Sequence, residues 1–342
     1  MLHLTPTNPR PEGCSKNDAS KTLELRLLHH YTIFTAYQLP SGSLEQLHQV
    51  WAVDVPCFGF SSPLVLHALL AISAQHLWAL DPSNRSLAHA SRQYFHSAIK
   101  HHKKALQLAE QSCSSEEAES ILAAAMLITH HTWTAAHAEP IRTDEPYKLP
   151  LQTYYLARGG QALFNETFPW LKDSALLWFC QQDSMNPTSF TTSNPFVASG
   201  KADLDRLLQA ADELVGKDQQ TYATVAQRLM SLYASIGARP TPSWVFTCVA
   251  TLPIRAPRRF LELLEMHNPV ALALLARNMA LLKMIEHKWW LHGAGEHQVA
   301  ERAINGIATL MPPEWAWTME WPLSFLEIVT QAPIIHDCSK AW

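Results

Sequence analysis

Charge is scarce in this chain. Asp, Glu, Lys and Arg make up 16% of its 342 residues, against about 25% in an ordinary soluble protein. The net charge is −4, and no face reads as basic. That argues against a chain that grips nucleic acid with its own surface, because phosphate binding needs clustered Lys and Arg. Closely spaced cysteines are missing too. Cys14, Cys57, Cys113, Cys180, Cys248 and Cys338 are scattered, with no CxxC among them. A zinc finger or a thioredoxin-type motif is therefore not legible, and scattered thiols fit a reducing compartment. The opening MLHLTPTNPRPEGCSKNDASK has no apolar core of signal-peptide length. The most apolar run, Pro269–Ala276, meets Arg277 and Asn278 at once, so no membrane span is expected there. The expected location is nucleus or cytoplasm.

Reactive motifs are also absent. There is no GxSxG, P-loop, GxGxxG or HExxH. Metal-binding histidines on a helix want a spacing of three or four. No two histidines here have it: His29–His30, His101–His102 and His130–His131 are neighbours, and His287, His292 and His297 are five apart. No metal and no cofactor is expected, and no catalytic residue is assigned.

What the chain does have is 47% hydrophobic residues and 12 tryptophans. Missing charge must be matched by buried surface, by a partner interface or by a lipophilic cavity. Residues 1–22 read as a flexible lead-in. From Leu23 the apolar spacing becomes helical. Pro63–Leu80 is nearly all apolar, as in a central buried helix, with Pro63 suited to a first turn. Ser83–Gln111 carries one apolar stripe and reads as its antiparallel partner. Ser114-Ser-Glu-Glu117 has capping-box spacing. Prolines break the pattern at 138–153, and 181–200 is the best linker-like loop. Helical pattern resumes near Asp203, and Asn268-Pro269 starts a helix predicted to reach Leu291 or His292. Period-two alternation is rare. The expectation is an all-α fold of packed antiparallel helical hairpins, one large domain over residues 23–335.

The stretch HKWWLHGAGEH at His287–His297 reads as a helix end. Gly293 suits a left-handed cap, and Trp289 and Trp290 either pack against the next part of the chain or wall an apolar cavity.

LELRLLHHYT near Leu23, WAVDVP at Trp51–Pro56, HALLAISAQHLWALDP at His67–Pro82, HHKKALQLAEQ, KWWLHGAG and PPEWAWTMEWP at Pro312–Pro322 occur in an order that resembles the C-terminal regulatory region of fungal zinc-cluster transcription factors, sterol-uptake-control type. The resemblance covers about Leu23 to Val329. It implies an all-α regulatory domain with a pocket between C-terminal helices for a lipophilic molecule, sterol-like or polycyclic. It also implies a partner, either a second copy or another regulator. The family's six-cysteine DNA-binding cluster has no counterpart ahead of Leu23, where only Cys14 stands, so direct nucleic-acid binding by this chain is not expected. The candidate pocket wall is Trp289, His292, Gly293, Trp315, Met319, Trp321 and Phe325: large aromatics and an adaptable methionine. The alternative is a helical scaffold turned to enzyme work, an isomerase or cyclase acting on a fungal secondary metabolite, where an enclosing apolar pocket and one or two polar groups suffice.

Overall fold

The computed structural model describes residues 16–39, 48–109, 112–138, 194–213, 216–238, 255–285 and 299–330, with single positions between 155 and 176 and at 249, 252 and 289. Every regular element among the described residues is helical. The fold is all-α, as the periodicity predicts.

The first helix, α1, spans Lys16–His30. It starts seven residues ahead of Leu23, so the end of the expected lead-in is helical. It runs on through a wide turn at Tyr31–Thr35, where the Ala36 N–H reaches back five residues to the Tyr31 carbonyl. A second wide turn, Val50–Asp54, leads into α2, Val55–Ser61. Pro56 is the second residue of α2, and proline has no N–H to give the carbonyl of Ala52. Wide turns of this kind inside helices often sit at functional places.

Helix α3, Pro63–Leu80, has Pro63 in its first turn. It is long and apolar enough to cross a membrane. Here it is the centre of the N-terminal layer, packed by α1, α2, α4 (Arg85–Ala109) and α5 (Ser115–Ala138). Its unbroken buried stretch, Ala68–His76, shows why an amphipathic stripe is missing: neighbours cover it on most sides. The turn into α4 closes through Asn84 N–H to the Asp81 carbonyl. Ser114 caps α5 as its spacing predicts. The Glu117 N–H donates to Ser114 Oγ at 3.2 Å, and the Ser114 N–H donates to Glu117 Oε2 at 2.9 Å.

Helix α6 spans Pro195–Asp212. It opens earlier than the expected Asp203, inside the stretch read as a linker. Asn194 caps it by accepting from the Phe196 N–H at 2.9 Å, and Pro195 takes the first helical place. Residues 181–193 lie outside the described residues. Helix α7, Gln219–Ala238, packs against α6. Two glycines permit the close approach. A Cβ on Gly200 would stand 2.6 Å from the Tyr233 ring, and one on Gly237 would stand 2.6 Å from a Val197 methyl.

Helix α8, Arg258–Glu265, is followed by a turn in which His267 takes φ 51°. Asn268 then does two jobs. Its N–H bonds back to the Leu263 carbonyl, and its side chain caps α9, Pro269–Leu281, by accepting from the N–H groups of Val270 and Ala271. The start signal at Asn268-Pro269 is thus correct. After Leu281 the α-helix gives way to a narrower, more tightly wound turn at Leu282–Ile285, and the expected end at Leu291 or His292 lies outside the described residues. Every residue from Val270 to Leu281 is buried, which makes α9 the centre of the C-terminal layer. Around it lie α7, α8, α10 (Val299–Leu310) and α11 (Glu320–Thr330), with a tight turn at Pro313–Met319 before α11. One continuous apolar core joins both layers, from Leu27 through Leu70 and Leu274 to Leu326.

Candidate functional site

Polar side chains are few inside this core, so those present stand out. His76, near the end of α3, is fully buried. Its Nδ1 lies 2.9 Å from Thr35 Oγ1 and 3.2 Å from His30 Nε2. The wide turn after α1 is what brings both partners to it. The ring of Trp289 stacks on the His76 ring, with centroids 4.4 Å apart and planes within 15°. Trp289 thereby joins the segment after α9 to the centre of the N-terminal layer. Two polar atoms of this stack have no hydrogen-bond partner among the described residues, His76 Nε2 and Trp289 Nε1, and the buried hydroxyl of Tyr31, in the turn after α1, has none either. Buried polar groups are nearly always paired, so these atoms stand out against the rest of the core.

Burial sets the protonation states. It pushes His76 down to about 3, helped by His30. His30 is pushed down to about 4, by burial first and then by Arg26 and His29. Burial pushes the Tyr31 phenol well above its ordinary value. The cluster is neutral at pH 7 and offers hydrogen bonds without charge.

A second buried group ties three helices together. Ser91 Oγ on α4 lies 2.7 Å from His131 Nε2 on α5, 3.0 Å from Gln75 Oε1 and 3.1 Å from the Ala71 carbonyl on α3. Phe95 stacks on the His131 ring at 4.2 Å. A serine beside a histidine suggests a nucleophile and its base, but Ser91 is fully buried, and its role in the fold is to bridge helices.

The predicted wall residues fall in several places. Trp289 is buried on His76. Met319 is buried at the end of the Pro313–Met319 turn. Trp315 is half-buried and lies 6.3 Å from Trp317, ring to ring. The Trp321 N–H donates to Ser199 Oγ at 3.2 Å, and its ring lies 5.5 Å from Tyr233. Arg206 sits over the Trp317 ring at 4.2 Å. Phe325 is on α11, but its side chain, like His292 and Gly293, lies outside the described residues. The reading of Gly293 as a helix cap does too. The contacts that are described put Trp289 against α3, and Trp315, Trp317 and Trp321 at the α6–α7 side.

Sequence reasoning missed Tyr31, Thr35 and His76, because nothing local marks which polar residue of an apolar helix will lose its partners. It also missed an ion pair. Arg277, with no exposed side-chain surface, holds Asp203 side-on: Nε to Oδ2 at 2.6 Å and Nη2 to Oδ1 at 2.8 Å. Its Nη1 donates to the Ala273 carbonyl at 2.8 Å. The one local signal was a lone arginine in the middle of PVALALLARNMALL.

Residues 26–141 match the family described as the fungal specific transcription factor domain. The resemblance to fungal transcription factors is borne out. The matched segment holds the last turn of α1 and all of α2–α5, and so contains Tyr31, Thr35 and His76. Three curated relatives extend the match. A Zn(2)-C6 fungal-type transcription factor of Gibberella zeae is 26% identical over 316 residues, covering 89% of this chain and 61% of that protein. The Zn(2)-C6 fungal-type transcription factor afumD of Aspergillus fumigatus is 24% identical over 278 residues, covering 79% of this chain and 69% of its own length. Sterol uptake control protein 2 of Candida albicans is 22% identical over 181 residues, covering 52% of this chain and 24% of its own length. The chain thus spans about three fifths of the Gibberella protein. Among the described residues, no group of three or more His, Cys, Asp or Glu is placed to hold a metal ion.

Proposed function

We propose that this chain is the effector region of a transcription regulator, and that it binds a lipophilic small molecule of sterol-like or polycyclic shape. The observation that carries this reading is the likeness to Zn(2)-C6 transcription factors along 89% of the chain, joined in one half by a sterol uptake control protein. Low charge and many tryptophans support it, as does the buried His76–Trp289 stack, whose unpaired atoms suit the one polar group of a mostly apolar ligand. Trp289, Trp315, Met319 and Trp321, with His292, Gly293 and Phe325, line the ligand in this reading. A partner chain, a second copy or another regulator, supplies the contact with DNA, and the working place is the nucleus.

The test is a titration of the purified chain with ergosterol and other polycyclic lipids, followed by tryptophan emission. Saturable quenching or a blue shift, weakened by Trp289→Ala, supports the reading. Unchanged emission up to the solubility limit of every lipid tried overturns it.

A further inference from the structure

The structure corrects the expectation that no face is basic. Helix α4 carries Arg85, Arg92, Lys100, Lys103 and Lys104 and no Asp or Glu. Arg85, His89, Arg92, His96, Lys100 and Lys103 follow each other at steps of four, three, four, four and three. Those steps keep them on one face of a helix, and all six are exposed, as is Lys104 beside them. The opposite face, with Leu87, Ser91 and Ala98, is buried against α3 and α5. From Arg85 to Lys103 the stripe runs about 27 Å.

No acid answers this stripe. None of its five cations forms an ion pair among the described residues. Glu24 on α1 reaches α4 on its far side, where the Tyr94 hydroxyl donates to it at 3.3 Å. Exposed cations on other helices are paired. Lys201 meets Asp205 one turn along α6, Arg258 meets Glu262 one turn along α8, and Arg206 meets Glu320 on α11. On α4 the four-apart neighbours Lys100 and Lys104 repel instead, and Arg85 stands in the first turn, against the positive end of the helix dipole. A merely solvated face mixes both signs. A face of one sign, kept at that cost, suits a counter-charge from outside.

The pattern also favours one kind of partner. Carboxylates at the same three-and-four steps on a second helix keep pace with the cations along the whole stripe. A DNA duplex winds round its axis and soon leaves a straight stripe, and no exposed aromatic stands on this face for a single strand to stack on. We propose that the Arg85–Lys104 face of α4 docks an acidic amphipathic helix of another protein. Docking here is independent of any lipophilic ligand, so either reading can fail alone.

The test uses the full chain and a fluorescein-labelled, alanine-rich peptide as long as α4, with glutamate at the same four-and-three steps. A second peptide of equal composition spreads its glutamates around the helix, and a short DNA duplex stands for nucleic acid. Fluorescence anisotropy is read for wild type and for a stripe variant, Arg92→Gln with Lys100→Gln and Lys103→Gln. A control of equal charge change neutralises exposed cations elsewhere, Lys21→Gln with Lys217→Gln and Arg258→Gln. The patterned peptide is expected to bind wild type and control alike, and the stripe variant about tenfold more weakly, since exposed ion pairs are worth little singly and three are lost together. Added salt should weaken the binding. The stripe variant should melt at or above the wild-type temperature, because repelling charges are removed. No binding of the patterned peptide, equal binding of the spread one, or equal binding by the stripe variant overturns the proposal. So does a lower melting temperature in the stripe variant, which makes the cations part of the fold's own support. Two further results displace it. A duplex that binds more tightly than the peptide and is lost in the stripe variant assigns the face to nucleic acid, and a wild-type dimer in sedimentation that the stripe variant lacks assigns it to a second copy.

Discussion

Acid should weaken this protein through His76 and His131. Both are fully buried, at 2% exposure or less, and burial pushes each imidazole down to about 3, with His30 adding to the effect at His76. In the unfolded chain each titrates near 6.5. Between these values the unfolded state binds a proton at each site and the folded state does not. Stability is therefore fully present above the unfolded value. It is lost as pH falls through about 6.5, and the loss continues towards the folded value. Each histidine contributes a slope of about 1.4 kcal/mol per pH unit. From pH 7 to pH 5 that is about 2 kcal/mol apiece and about 4 kcal/mol for the pair, a large share of a typical folding free energy of about 5–15 kcal/mol. Urea unfolding at pH 7, 6 and 5, followed by far-ultraviolet circular dichroism, reads it. The comparison that isolates the effect is wild type against His76→Gln and His131→Gln. Each variant starts less stable but should lose about 2 kcal/mol less on going from pH 7 to pH 5. If the pH 7 to pH 5 difference is the same in wild type and in both variants, the histidines are not held neutral by burial and the reasoning fails.

Three further predictions concern the C-terminal layer. Arg277→Met strands Asp203 beside an apolar core and should cost about 3–5 kcal/mol, whereas Arg277→Met with Asp203→Leu should recover most of the loss; urea midpoints of the two variants decide. Asn268→Ala removes the cap of α9 and the acceptor of the Tyr222 hydroxyl, at 3.1 Å, and should lower stability by about 1–2 kcal/mol, with no loss in a urea melt meaning that water replaces the cap. Gly200→Ala drives a methyl into the Tyr233 ring and should cost about 1–3 kcal/mol by overpacking, and Tyr233→Leu in the same chain should relieve part of it in a thermal melt.

The helices were the readable part, and particular residues show why. The capping box at Ser114–Glu117 and the cap-plus-proline at Asn268-Pro269 act within one turn of chain, so spacing alone announces them. The start of α6 was hidden because Asn194-Pro195 sits in a stretch rich in Ser, Thr and Asn that reads as loop. The tightening after Leu281 was hidden because the apolar period runs on past it, and nothing in the spacing announces it. Arg277 looked like the end of an apolar run. It proved to be the middle of a buried helix, because its counter-charge lies 74 positions earlier in the chain.

From its residues alone, then, this chain is all-α, poor in charge and similar to a family of transcription regulators, since helical period, capping and composition are local properties that no folding partner can alter. Which polar atoms go unpaired was decided only when helices far apart in sequence came together. His76 meets Trp289, Ser91 meets His131, and Arg277 meets Asp203. Pairing is a property of contacts across the fold, and no period or spacing encodes it.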